Sequence, residues 1–137
     1  MSEMNLELAK KLIDGAEKEA ADIGVQMVIT VVDDGGNLIA QHRMDDAWIA
    51  SLDVSKNKAW TSVALKMPTS DLEEAAAPGG ELYGLNTTND GRIVVFGGGI
   101  PLEKDGKVIG AVGVSGGAVA QDVQVAEAGV KAFKDNN

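Results

Sequence analysis

His42 is the only histidine in the chain, and there is no cysteine. Any nitrogen or sulfur metal chemistry therefore starts from one imidazole and the methionines. His42 lies in the run Gln41-His42-Arg43-Met44-Asp45-Asp46. A histidine near a methionine is a donor pair that axial haem ligation uses. Arg43 beside it carries a planar cation suited to carboxylates. Asp45 and Asp46 invite acid–base work, but neighbours on a strand point to opposite faces, which weakens a two-carboxylate mechanism. The plainer readings are a solvated salt bridge for Arg43 and the two aspartates, and a strand-end or oligomer contact for His42. The residues alone leave both open.

Two lysines stand out in the next segment. Lys58 falls on a polar stripe with Ser51, Ser55 and Ser62, and Thr61 is close by. Lys56 falls within the apolar face of the same stretch, where a lysine buries its stem and wets its head. A desolvated lysine can act as a base or form a Schiff base, but no second group here supports that. The glycines, 17 of 137 residues, cluster at Gly97-Gly98-Gly99, Gly110, Gly113 and Gly116-Gly117. Gly110, Gly113 and Gly116 lack the spacing of a dinucleotide fingerprint, and there is no phosphate-binding loop motif. Close approach of helices to the sheet explains such glycines most simply. Ser115-Gly116-Gly117 ahead of a helix could still offer backbone N–H groups to an anion.

Composition narrows the classes. The net charge is −9, with 45% apolar and only 4% aromatic residues. An acidic chain argues against nucleic-acid binding. No apolar run of about 18 residues exists, so no membrane span is expected. The amino terminus does not read as a signal peptide. A cytoplasmic location is the simplest expectation, and residues 1–137 read as a single domain. A Ser-His-Asp site could use only His42, and a multi-histidine metal site within one chain is excluded.

The elements that must position these residues follow from periodicity. Residues 4–23 read as a helix capped by Ser2 or Asn5 and stopped at Gly24. Gly15 inside it implies close packing on a neighbour. Residues 26–32 and 38–44 form a hairpin across Asp33-Asp34-Gly35-Gly36-Asn37. Strand alternation places His42 on one face with Leu38, Ala40 and Met44. Residues 47–67 read as a second helix whose core face holds Trp48, Leu52, Ala59, Trp60, Val63 and Met67. A short helix over 70–76 precedes a surface loop at 77–92. Strands are expected at 93–96, 100–103 and 107–114, the last two joined by Asp105-Gly106. A final helix spans 118–133, with Val119, Val123, Ala126, Val130 and Phe133 as its apolar stripe. The order α, β, β, α, β, β, β, α predicts an α+β domain with helices packed on an antiparallel sheet.

Four segments in order, ITVVDDGGNLIAQHRMDDA, KAWTSVALKMPT, FGGGIPLEKDGKVIGAVGVSGG and QDVQVAEAG, resemble the GlcG/HbpS-like family of haem-binding and haem-degrading domains. The resemblance is strongest to the C-terminal domain of PduO-type corrinoid adenosyltransferases and to stand-alone proteins of diol and glycerol utilisation operons. It implies a profilin-like three-layer α/β/α fold with a five-stranded antiparallel sheet. It implies a homo-oligomer, with an octamer plausible, and haem or a corrinoid as cofactor. The family pattern maps onto Arg43-Met44-Asp45, Lys58 with Thr61, Gly98-Gly99 with Pro101, and Gly110 through Gly117 followed by Asp122. The adenosyltransferase domain itself is absent, so adenosyl transfer is not inherited. The reading that follows is a small oligomeric cofactor-binding protein serving diol, glycerol or glycolate-type metabolism. His42 or Met44 would face the metal, and Arg43 and Lys58 would hold anionic groups. Asp45, Thr61, Gly98, Gly99, Ser115 and Gly116 would complete the pocket, with Ser115 through Gly117 as backbone donor. Two alternatives stand beside it. One is an accessory enzyme that binds a small carboxylate or carbonyl metabolite. The other is a ligand-free structural partner of a dehydratase.

Overall fold

The computed structural model describes residues 4–137. Ser2, one of the two expected caps, lies outside them. Helix α1 (Leu6–Asp22) starts at Asn5, whose side chain accepts from Leu8 N at 2.8 Å. Gly24 follows its end at φ +73°, the left-handed stop anticipated there. Strands β1 (Val28–Asp33) and β2 (Leu38–Arg43) pair as an antiparallel hairpin. Asp33 builds the turn by accepting from Gly35 N and Asn37 N, both at 2.9 Å. Helix α2 (Ala50–Leu65) ends at Lys66 in left-handed geometry, just ahead of Pro68. A single 3-10 turn at Thr69–Leu72 stands where a short helix was expected. Strands β3 (Gly99–Lys104) and β4 (Lys107–Ser115) form the second hairpin, and helix α3 (Val119–Asp135) closes the order.

The sheet order is β2-β1-β4-β3, and every pairing is antiparallel. Helices α1 and α3 pack together on one face, and α2 covers the other. Strand alternation divides the residues accordingly. Ile29 and Val31 of β1 join Val112 and Val114 of β4 in the core beneath α1 and α3. Val32 and Ala111 face Ala59 and Val63 of α2. Leu12, Ile13 and Phe133 are essentially fully buried, and burial of each such side chain contributes about 1.5–3 kcal/mol. Gly15 lets α1 and α3 touch, since a Cβ there would lie 2.6 Å from that of Ala132.

Three expectations are corrected. The sheet has four strands among the described residues, not five. The β-branched run 93–96 forms no ladder. Val94 N is claimed by Thr61 Oγ1 at 3.1 Å. The N–H of Val114 pairs instead with Gly98 O, at 2.9 Å.

The face that α2 buries is the polar one. Ser51, Ser55, Lys58, Thr61 and Ser62 are buried; of the expected apolar face only Ala59 and Val63 are buried with them, while Trp48, just ahead of the helix, is 65% exposed. The cause is the glycines on the sheet below. A Cβ on Gly113 would run into Ser55 O, and one on Gly99 into Lys58 O. The helix backbone sits so near the sheet that only small side chains fit between. Most of those side chains find partners, among them Ser55 Oγ with Thr30 Oγ1 at 2.8 Å and Ser51 Oγ with Ser115 Oγ at 3.0 Å, whereas the buried Ser62 Oγ has none; Gln41 Nε2 reaches the helix backbone at Leu52 O, 2.7 Å. Trp60 instead lies against Gly36 and beneath the Arg92 guanidinium, 4.2 Å from ring centre.

The third correction concerns β2. A bulge at Ile39 pairs Leu38 with Val32, while Ala40 remains opposite Val31. Leu38 therefore turns to the α2 face, and His42 keeps only Ala40 and Met44 as same-face neighbours.

Candidate functional site

The sequence-predicted residues fall into two groups. The first gathers around Lys58, which rises from α2 toward the start of β3 and the end of β4. Its ammonium is fully buried. It donates to Val114 O at 2.8 Å and to Asp122 Oδ2 at 2.9 Å. The Phe96 ring centre lies 5.0 Å away, close enough for cation–π attraction. Lys58 is thus turned inward, not toward a solvent-borne anion. Burial lowers its pKa and raises that of Asp122, and their mutual attraction opposes both shifts. Lys56, expected along the apolar face, is exposed.

Asp122 also organises the turn before α3. Its Oδ1 accepts from Gly117 N at 2.9 Å, and its carboxylate also bonds the Gly116 backbone. Those amides, expected to serve an anionic ligand, already serve an internal carboxylate. Ser115 is buried, with its Oγ donating to Ser51 Oγ at 3.0 Å. Thr61 bridges the 92–94 segment, accepting from Val94 N and donating to Arg92 O at 3.4 Å. Gly98, at φ +129°, would place a Cβ 2.6 Å from Lys58 Nζ. Gly98 and Gly99 are therefore demanded by the approach of α2, and they also border an outer cleft beside β3.

The second group lies at the other edge of the sheet. His42 is opposite Ile29, which is opposite Val114. It is thus two strand spacings, about 10 Å, from the strand that receives Lys58. His42 is exposed, and its Nδ1 lies 3.0 Å from Glu17 Oε1 on α1. A carboxylate on one ring nitrogen fixes the ring and leaves the other free to ligate. Met44 is drawn inward: its Sδ accepts from Met27 N at 3.5 Å, and it packs against the core. It does not stand beside His42 as a second donor. Arg43 is exposed and has no ion-pair partner among the described residues, and Asp45 is exposed just past the strand. The fold thus brings Lys58, Thr61, Gly98, Gly99, Ser115 and Gly116 into one region and leaves His42, Arg43 and Asp45 in another.

Two participants carried no local sequence signal. Glu17 sits one helix away from His42, and Phe96 lies in a run that reads as strand. Asp122 stood in the family pattern, but its pairing with Lys58 spans 64 residues.

Comparison with known proteins joins this geometry to a family. A protein from Citrobacter freundii, described as an uncharacterized 15.0 kDa protein in the dhaT-dhaS intergenic region, is 48% identical over 96% of this chain and 93% of its own length. The corrinoid adenosyltransferase PduO of the same organism is 40% identical over 90% of this chain. This chain spans only 37% of that enzyme. The solved complex of PduOC with haem superposes with a TM-score of 0.90 at 37% identity, covering 94% of each chain. The family model described as haem degrading protein HbpS-like matches residues 4–131. This chain belongs to the HbpS-like family.

Proposed function

We propose that this protein is an oligomeric, cytoplasmic haem-binding module in which the His42 imidazole takes the iron. The observation that carries the reading is the His42–Glu17 contact, 3.0 Å between Nδ1 and Oε1. It orients the chain's one imidazole from an exposed edge strand. The likeness to a haem-bound domain supports the choice of ligand. The donor set fits a single nitrogen attachment: with Nδ1 of His42 engaged by Glu17, Nε2 is the donor left to ligate. Arg43, at the exposed end of the same edge strand and without an ion-pair partner among the described residues, would reach an anionic side arm around that edge. Haem bound there would supply redox and oxygen chemistry. Glu17 would set the tautomer, and a second copy of the chain would exclude water from the outer side of the β2 edge. The buried Lys58–Asp122 pair would act from a distance, by holding the sheet's layers in register.

The test is a visible-absorbance titration of the full chain with hemin and, separately, with cobalamin. Saturable growth of a Soret band with hemin alone is the expected result. Saturable spectral change with cobalamin and none with hemin would assign the domain to a corrinoid. Silence with both would reject the cofactor reading.

A further inference from the structure

The opposite edge of the sheet carries a cleft that haem attachment at His42 leaves unused. Its volume is about 460 Å³, with walls that include Pro68, Ile100, Val123 and Val130. Small-molecule sites commonly measure about 300–1,000 Å³. The cleft exists because α3 has more apolar surface than the sheet covers. Val125, Ala126 and Phe133 are buried against the core, whereas Val123 and Val130 are only partly covered. A second cleft adjoins it and shares Pro68, Ile100, Val130 and Lys134.

The β3 edge is closed to an added strand. Gly99 N already donates to Thr69 Oγ1 at 3.0 Å, and Pro101 has no N–H to give. A compact molecule suits the cleft better than an extended peptide. Charge narrows the class further. The chain is strongly acidic overall, yet lysines stand at this rim. Lys131 is held by Asp135 at 2.9 Å. Lys134, where the two clefts meet, has no ion-pair partner among the described residues. Glu127 in the same wall disfavours a ligand with several negative charges.

We propose that this cleft binds a small monoanion with an apolar body, of the medium-chain or aromatic monocarboxylate class. The body lies on Ile100, Val123 and Val130, and the anionic end meets Lys134. This site is independent of His42.

The test uses the fluorescent monoanion 8-anilinonaphthalene-1-sulfonate on the full chain, with octanoate as competitor. Saturable one-to-one enhancement that octanoate displaces is expected. Lys134→Glu should weaken it about tenfold, the scale of one charge-assisted contact. Val123→Glu should weaken it by at least as much, while Lys11→Glu on α1 should leave it unchanged. Circular dichroism of each variant identifies any that fails to fold. Non-saturable fluorescence, or unchanged affinity in both folded cleft variants, would overturn the proposal. Absence of binding in a stable oligomer would also overturn it, since a second copy would then occupy the cleft. Release of hemin by octanoate would do the same by making the cleft the haem site. The His42→Ala hemin response is read separately, so the two sites can fail independently.

Discussion

Lys58 and Asp122 tie together two helices that lie on opposite faces of the sheet, with 2.9 Å between Nζ and Oδ2. The lysine passes beneath Gly98. Both charges are out of water. Such a pair costs several kcal/mol of desolvation per ion, which its attraction only partly offsets, so it specifies an arrangement more than it stabilises one.

Breaking the pair on one side leaves a buried charge. Lys58→Met or Asp122→Asn should each lose about 3–5 kcal/mol in urea unfolding. Lys58→Met combined with Asp122→Asn should cost less than either single change, because the asparagine oxygen can keep the Gly117 bond. Additive losses in the double variant would show that the two residues act separately.

The same geometry sets a pH dependence. Burial raises the Asp122 carboxyl above its ordinary value of 3.8, and the Lys58 charge pulls it back down. Lys58→Met removes the pull, so the carboxyl rises further. A carboxyl raised in the folded state contributes stability that is complete below its unfolded value and is lost as pH rises through its folded value. The Tm of Lys58→Met should therefore fall more steeply than that of the wild type as pH rises above the ordinary carboxyl value of 3.8. Parallel curves would contradict the burial argument.

Glycine at the α2 contact is testable by addition of one methyl. A Cβ on Gly113 would meet Ser55 O and, at 2.7 Å, Ala59 N, both of them backbone. Gly113→Ala should cost about 1–3 kcal/mol or more, since neither strand nor helix can yield locally. Gly24→Ala, with open space around it but φ +73°, should cost about 1–2 kcal/mol from backbone strain alone. A loss below about 1 kcal/mol in Gly113→Ala would argue against close approach as the reason for that glycine.

The exposed segment that leads into α2 should be tolerant where the helix's buried side is not. Trp48→Ser should change stability by no more than about 0.5 kcal/mol, as expected of a surface site. Ser55→Leu should be strongly destabilising, since it both overpacks the interface and removes the Ser55 hydroxyl from Thr30, leaving Thr30 with Gln41 alone. Thermal unfolding of the two variants makes the comparison.

That contrast also marks where sequence reading stops. Hairpins were legible because their turns are local: Asp33 caps its own turn, and Asp105 and Gly106 both adopt positive φ. α1 was legible because its apolar stripe faces a single core. α3 was legible as a helix, but its expected stripe was only partly right: Ala126 and Phe133 are buried together with Val125, whereas Val123 and Val130 are half-covered and Val119 is exposed. The buried side of α2 was not legible, because it is fixed by glycines distant in sequence, Gly113 lying 58 residues from Ser55 and Gly99 41 residues from Lys58, while Trp48 and Trp60 dominate any count of apolar residues. Residues 93–96 have strand composition, but Thr61 takes the donor a ladder would need. His42 was identifiable as the only imidazole; Glu17 was not identifiable as its partner, since that contact spans 25 residues.

Haem attachment at His42 is tested most directly by chemical rescue. His42→Ala should lose the Soret band that hemin gives with the wild type, and added imidazole should restore it by filling the vacated ligand position. A full Soret band in His42→Ala without imidazole would place the iron on another residue and contradict the assignment.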